Sequence, residues 1–151
     1  MQCIAKKKYK NIIFNIYGKG SESSNIQKFI NDHELSNVKI CGFVDDLTSI
    51  YQSSDFFLYL TDQTGLGCVV IDAIYFNKPI IISSSSASAE VFDNNYQFKT
   101  KDDKDSKGML KILDFLEDKN SIPNLKLRKN YQIFYSKLQF KKKFLKIIIN
   151  E

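Results

Sequence analysis

Along this chain, short runs dense in β-branched and aromatic residues alternate with stretches whose apolar positions recur every three or four residues. NIIFNIY (11–17) reads as a strand that ends in a turn at Gly18. SSNIQKFINDHEL (23–35) places Ile26, Phe29, Ile30 and Leu35 at helical spacing, and Ser24 with Gln27 has the form of a capping box. NVKICGFV (37–44) returns to strand character. DDLTSIYQSS (45–54) opens with acids suited to a helix N-terminus and carries Leu47, Ile50 and Tyr51 on one face. DFFLYL (55–60) is a continuous apolar run, as expected of a parallel strand covered on both faces.

The stretch TDQTGLGCVVIDAIYFNKPIII (61–82) then predicts a loop, a helix over about 66–76 and a strand from Pro79. Strict strand–helix alternation implies right-handed βαβ units and an α/β fold, a Rossmann-like doubly wound parallel sheet. The pattern weakens after Ser83. SSSSASA (83–89) has the composition of a flexible linker, yet it follows a central strand, where such folds place ligand loops. MLKILDFLEDK (109–119) predicts a further helix, Pro123 breaks the chain, and 122–151 reads as one or two terminal helices. MQCIAKKKYK (1–10) resembles the last turns of a helix leading into the first strand, so the sheet is expected to lack its first strand.

Size and composition fit one domain over residues 1–151: the chain has 151 residues, 43% hydrophobic and 13% aromatic. Twenty-two basic against 17 acidic residues give a net charge of +5, with the basic residues crowded toward the end. That is a local feature and not the footprint of a nucleic-acid protein. Cys3, Cys41 and Cys68 lie far apart, with no CxxC and no histidine pairing, which argues against a disulfide framework or a zinc site. Cys41 and Cys68 are expected to pack as small hydrophobes in a reducing compartment, which favours a cytoplasmic protein. No apolar run is long enough to span a bilayer. His33, the one histidine, is expected at the surface.

Within 61–82, Gly65 and Gly67 flank the helix start, where a side chain would block the approach of an anion. The amides of Gly67, Cys68 and Val69 are expected to point into that space, and the helix dipole adds positive potential. Asp72 falls about one and a half turns into the helix, where its carboxylate could accept two hydroxyls of a ribose. Taken alone, Gly-x-Gly before a helix is common, and a lone acid on a helix is usually solvated.

IYGKG, KICGFVDDLTSIYQSSDFFLYLT, GLGCVVIDAIYFNKPIIIS and ASAEVF together resemble four successive blocks of the C-terminal, nucleotide-sugar-binding domain of the retaining, GT-B-fold glycosyltransferases called family 4. The blocks run in order over roughly 1–118. The resemblance implies hexosyl transfer from a nucleotide-diphosphate sugar to a glycan or lipid-linked acceptor, with no metal or other cofactor. The family carries two glutamates seven residues apart in the third block; here those positions hold Thr64 and Asp72, so the pair is altered at both. By the resemblance, Asp72 binds the ribose, and Thr64 and Glu90 face the transferred sugar. Phe43 and Val44 receive the base, Gly18 and Gly20 lie beside the donor cleft, and Gly65, Gly67, Cys68 and Val69 bind phosphate. The family's basic phosphate loop and its acceptor domain correspond to nothing in this sequence, so a separate or missing N-terminal GT-B domain is an expected partner. A non-catalytic nucleotide-binding or scaffold domain, or one half of a split enzyme, is the alternative.

KLQFKKKFLKIII (137–149) interleaves lysines with apolar residues. Such a helix either packs against the family's other domain, which is the preferred reading, or touches an anionic membrane surface peripherally.

Overall fold

The computed structural model describes residues 9, 11–61, 67–92, 95–102, 104–117 and 142. The readings placed on 1–8, on Thr64 and Gly65 and on the terminal helices of 122–151 lie outside the described residues. Contacts divide the chain into two compact units. The described residues of Met1–Ser49 and Lys104–Ile122 belong to the first, and those of Ile50–Asp103 to the second.

In the first unit, β1 (Phe14–Tyr17) pairs in parallel with β2 (Val38–Gly42), and the register slips between Ile16 and Tyr17. Helix α1 (Ser23–Asp32) connects them and turns Ile30 inward. It starts two residues earlier than the capping box requires, with Glu22 at the N-cap and no side-chain cap bond. The Ser23 hydroxyl donates to the Gly20 carbonyl, and Gln27 pairs with Asn31 instead. Helix α4 (Ser106–Glu117), expected over 109–119, buries Met109, Ile112, Leu113 and Leu116. The Asp105 carboxylate accepts from the Gly108 amide at 2.9 Å and caps the helix. Tyr9, buried, donates its hydroxyl to Asp114 at 2.8 Å.

In the second unit, β3 (Phe57–Tyr59), β4 (Ile80–Ser83) and β5 (Lys99–Thr100) form a parallel sheet in that order. Helix α2 (Leu47–Ser53), whose residues up to Ser49 belong to the first unit, precedes β3, and helix α3 (Cys68–Tyr75) connects β3 to β4. The Asp46 carboxylate accepts from the amides of Thr48 and Ser49 at the start of α2, as its acidic opening predicts. Every residue of β4 is buried, whereas β3 is only partly so. Position explains the contrast, because β4 has a strand on each side and helices above it. Val70, Ala73 and Ile74 of α3 pack with Ile80, Ile82, Tyr51, Ala89 and Phe92 into one core cluster. The Lys78 ammonium ties this unit locally, donating to the Gln52 and Ser54 carbonyls at the end of α2.

The fold is therefore α/β with parallel pairing throughout the described strands, arranged as a two-stranded and a three-stranded sheet. Two elements differ from their sequence readings: β3, expected to be covered on both faces, is only partly buried because it pairs with β4 alone in its sheet, and the run after β4 is ordered. The serine-rich run is no linker: residues 87–91 (Ala87–Val91) form a 3₁₀ helix, and Ser83, Ser86 and Ser88 are buried. Each of these serines carries a short side chain that a backbone group can satisfy, so composition misleads there.

Replacing Ile82, which is fully buried in the cluster, by alanine should cost about 2–5 kcal/mol, and by valine about 1 kcal/mol. Urea unfolding of both variants checks this; equal losses for the two would show that the site relaxes around the cavity.

Candidate functional site

The local structure around Gly67 decides what the opening of α3 can do. Gly67 is the N-cap of α3, with φ −72° and ψ 113°, a conformation open to any residue. Glycine is needed here for room. A Cβ at this position would lie 2.5 Å from the Tyr59 hydroxyl oxygen and 2.7 Å from its Cζ. The ring of a residue on β3 occupies the space that the sequence reading kept clear for an anion.

The Gly67 amide is also engaged. It donates to the Ser88 Oγ at 2.9 Å, so the expected trio of free amides becomes a pair. Cys68 and Val69 lie in the first turn, which has no intrahelical acceptors for its amides, and both residues are exposed. Among the described residues, neither amide has an acceptor. Around this junction the serines form a fixed frame. The Ser83 hydroxyl donates to the Thr61 carbonyl at 2.5 Å, and the Ser88 amide donates to the Ser86 Oγ at 3.2 Å.

Asp72 is partly buried on α3, and its carboxylate makes no hydrogen bond or ion pair among the described residues. Its nearest electrostatic partner is Tyr51. Burial, and secondarily the negative charge of Asp72, push the Tyr51 phenol up to about 12. That hydroxyl donates to the Val69 carbonyl at 3.1 Å, tying the first turn of α3 to α2.

Glu90, exposed on the 3₁₀ helix, lines a cavity of about 650 Å³ together with Ser84, Ser85, Ala87, Phe92 and Lys99. The Lys99 ammonium donates to the Phe92 carbonyl at 3.0 Å from the wall of that cavity. Lys99 and Ser88 were not among the residues singled out from sequence. A lone lysine among many carries no signal, and Ser88 was hidden in a low-complexity run.

The first unit carries the remaining expected residues. Gly18 (φ 131°) and Gly42 (φ 72°) adopt backbone conformations that favour glycine, and the Gly18 amide donates to the Gly42 carbonyl at 2.7 Å. Gly20 accepts from the Ser23 amide at the start of α1. Phe43 is 61% exposed, so it is not a core residue, and the Lys19 ammonium lies 5.6 Å from its ring centroid. Val44 beside it is partly buried. His33 is a surface residue, as expected, stacked on Phe29 at 4.0 Å. Cys41 and Cys68 correct the expectation of packed thiols. Both are exposed, because Cys41 faces outward from β2 and Cys68 outward from the first turn of α3. Cys3 lies outside the described residues. Among those described, no group of three His, Cys, Asp or Glu side chains could hold a metal ion.

The family model for "Glycosyl transferases group 1" matches residues 1–144 of the chain. The chain belongs to this glycosyltransferase family. A curated viral relative, ORF31 of the isolate Australia/Victoria, assigned as a candidate glycosyltransferase, is 27% identical over 77 residues. The match covers 51% of this chain and 24% of that protein. Solved structures agree on the fold. Anabaena Alr3699/HepE, in complex with UDP-glucose, superposes with a TM-score of 0.76 at 13% identity, covering 94% of this chain and 42% of that one. A mutant of S. aureus TarM, in complex with Fondaparinux, alpha-GlcNAc-glycerol and UDP, gives 0.73 at 23% identity over 89% and 28%. The glycosyltransferase from Rickettsia africae ESF-5 gives 0.77 at 16% identity over 97% and 41%. The chain thus spans less than half the length of each of these proteins. The α/β, parallel-sheet fold expected from sequence is the fold of these GT-B glycosyltransferases.

Two outcomes follow from the geometry of α3 in this glycosyltransferase domain. Gly67→Ala must displace the Tyr59 ring, and should lower stability by about 1–3 kcal/mol as overpacking does; a thermal melt unchanged from wild type would show that Tyr59 swings aside freely. The second concerns pH. The Tyr51 phenol stays protonated in the folded chain to about 12, whereas in the unfolded chain it ionises near 10. The raised folded value means that its contribution is fully present below pH 10 and is lost as pH rises through about 12. Tyr51→Phe should therefore flatten the fall in stability between those pH values, measured as the wild-type-minus-variant difference in urea midpoint. A difference independent of pH would contradict the assignment.

Proposed function

We propose that this chain is the donor-binding part of a glycosyltransferase that transfers a hexosyl group from a nucleotide-diphosphate sugar, with retention, to a glycan or lipid-linked acceptor. The observation that carries the reading is Asp72: a partly buried carboxylate that has no hydrogen-bond or ion-pair partner among the described residues, one helical turn beyond two amides that have no acceptor among them either. That is a hydroxyl-binding acid next to an anion-binding backbone, the two chemistries a nucleoside diphosphate presents. Family membership supports it, and so do the UDP and UDP-glucose named for structures of similar fold.

In this reading Cys68 and Val69 hold phosphate oxygens through their amides, and Asp72 accepts from the ribose hydroxyls. Glu90 belongs with the sugar, since the cavity it lines is of a size that takes a hexose. By the family resemblance, Thr64 would face the same sugar with a hydroxyl in place of a charge. Gly67 leaves room for the Tyr59 ring at the start of α3. Phe43 and Val44, the residues expected at the base, lie in the first unit with Gly18 and Gly20. No metal or other cofactor takes part. Retaining transfer then depends on positioning and on stabilising the leaving diphosphate, and less on a side-chain nucleophile. The acceptor, and the second GT-B domain that would present it, complete the proposal, as does cytoplasmic work at a membrane face. Among the described residues, no helix is long and apolar enough to cross a membrane.

Ligand-observed NMR against UDP, GDP and ADP tests it directly. The expected result is selective binding of one diphosphate, weakened about tenfold or more in Asp72→Ala, the loss of hydrogen bonds to a charged acceptor, and unchanged in His33→Ala. Failure of a folded wild-type chain to bind any of the three would overturn the reading.

A further inference from the structure

The cavity beside the end of β4 holds two opposite charges, supplied by different elements. The pairing of β4 with β5 sets Lys99 against Ile82 and Thr100 against Ser83. The Ser84 amide, just past β4, donates to the Thr100 carbonyl at 2.9 Å and keeps the serine run alongside β5. The chain then turns into the 3₁₀ helix that carries Glu90. Lys99 from the sheet, Glu90 from the helix and Ser84, Ser85 and Ser86 from the loop between them line one cavity of about 650 Å³. All of these residues belong to the second unit.

The two charged side chains bring complementary chemistry. The Lys99 ammonium donates to the Phe92 carbonyl at 3.0 Å, which fixes its head and uses one of its three N–H groups. Glu90 is exposed, and its carboxylate only accepts. Serine hydroxyls do both. Phe92, stacked on Tyr96 with centroids 4.4 Å apart, adds an apolar portion to the lining. A fixed donor, an acceptor, hydroxyls and an apolar surface together suit a sugar, whose hydroxyls donate and accept around a ring of carbons. Among the described residues of the lining, Glu90 and Lys99 alone are charged, and their charges cancel. A sugar carrying a carboxylate meets Glu90 as a like charge, and one carrying an ammonium meets Lys99 in the same way. An uncharged hexose meets neither penalty.

We propose that Lys99 is a further sugar-contacting residue, and that with Glu90 it makes this cavity select an uncharged hexose over acidic and amino sugars. The inference rests on the donor-binding reading above, which puts the sugar at Glu90, and adds the residue that sets the sugar's charge class. Lys99 donates to one hydroxyl oxygen of the hexose while Glu90 accepts from other hydroxyls. The Phe92 carbonyl has a part in this selection, because an ammonium held at the wall cannot swing out to follow a charged substituent.

The test removes one charge at a time. Lys99→Gln deletes the positive charge and keeps a side-chain donor; Glu90→Gln deletes the negative charge and keeps an acceptor. Affinities are measured by ligand-observed NMR titration, below neutral pH so that the amine of glucosamine is charged. The probes are the glucose, glucuronate and glucosamine esters of the diphosphate that wild type selects among UDP, GDP and ADP. Wild type is expected to prefer the glucose ester to each charged one by about threefold or more, the scale of a partly screened charge pair. Lys99→Gln should narrow the gap for glucosamine and widen it for glucuronate, and Glu90→Gln should do the reverse. Each readout is a ratio within one protein, so a general loss of packing does not imitate it. Ratios that stay put in either variant, or that move the same way in both, overturn the proposal and leave the donor-binding reading standing. A wild type that ranks either charged sugar above glucose also overturns it. A folded wild type that binds no diphosphate overturns both.

Discussion

The second unit is organised by a strand that has no solvent face. β4 consists of three isoleucines and Ser83, all buried, with β3 and β5 as neighbours. Three β-branched residues in a row suit this position, since a strand covered on both faces has no use for alternation. The fourth residue changes the chemistry. A buried hydroxyl needs an acceptor, and Ser83 finds one in the Thr61 carbonyl just beyond β3. The chain leaving β4 is thereby fastened to the chain leaving β3, at the sheet edge from which both loops depart.

The same logic continues through the next residues. Ser86 caps the 3₁₀ helix by accepting from Ser88, and Ser88 accepts from Gly67. A run of four serines and an alternating Ala-Ser-Ala, which by composition suggests freedom, is thus a sequence of short hydrogen-bonding side chains that hold the start of α3 against the end of β4. Larger polar side chains could not be buried there with one bond each. The rigidity of this junction comes from the smallness of the residues.

How much of this was legible from sequence depended on whether the information was periodic. The alternation of strand and helix and the inward face of α1 follow from spacing, because burial repeats along each element, whereas the two-sided cover expected of 55–60 is found at β4 instead. The blocks around Gly18, Gly42, Gly67 and Asp72 were legible through resemblance, and family membership agrees with that reading. What was not legible was pairwise. Nothing local to Gly67 announces that Tyr59 covers it or that Ser88 takes its amide, since these partners lie eight residues before and 21 after. The exposure of Cys41 and Cys68 was missed for the opposite reason: apolar neighbours in sequence need not be neighbours in space, because a strand or a helix turns adjacent residues to different sides.

Asp72 shows why the acid on α3 is better explained by a ligand than by the fold. A carboxylate in a partly buried position is retained against its desolvation only when something compensates it. Among the described residues no cation or hydrogen-bond donor does so, and the neighbour it does influence, Tyr51, is driven by it away from ionisation. For folding alone, a leucine at that position would be the better choice, since α3 packs through Val70, Ala73 and Ile74 on a core of aliphatic and aromatic side chains. In the proposed reading the compensation comes from a ligand, as hydroxyls able to donate in pairs in place of the water that a partly exposed carboxylate meets. Beside it, backbone amides at the helix start ask for the opposite partner, an oxygen that only accepts. A molecule that carries vicinal hydroxyls a few ångströms from an anionic phosphate meets both demands at once, and a ribose diphosphate is such a molecule. In the proposed reading, an aspartate where the resembling family has a glutamate keeps that chemistry with one methylene less, and would draw the ribose closer to α3.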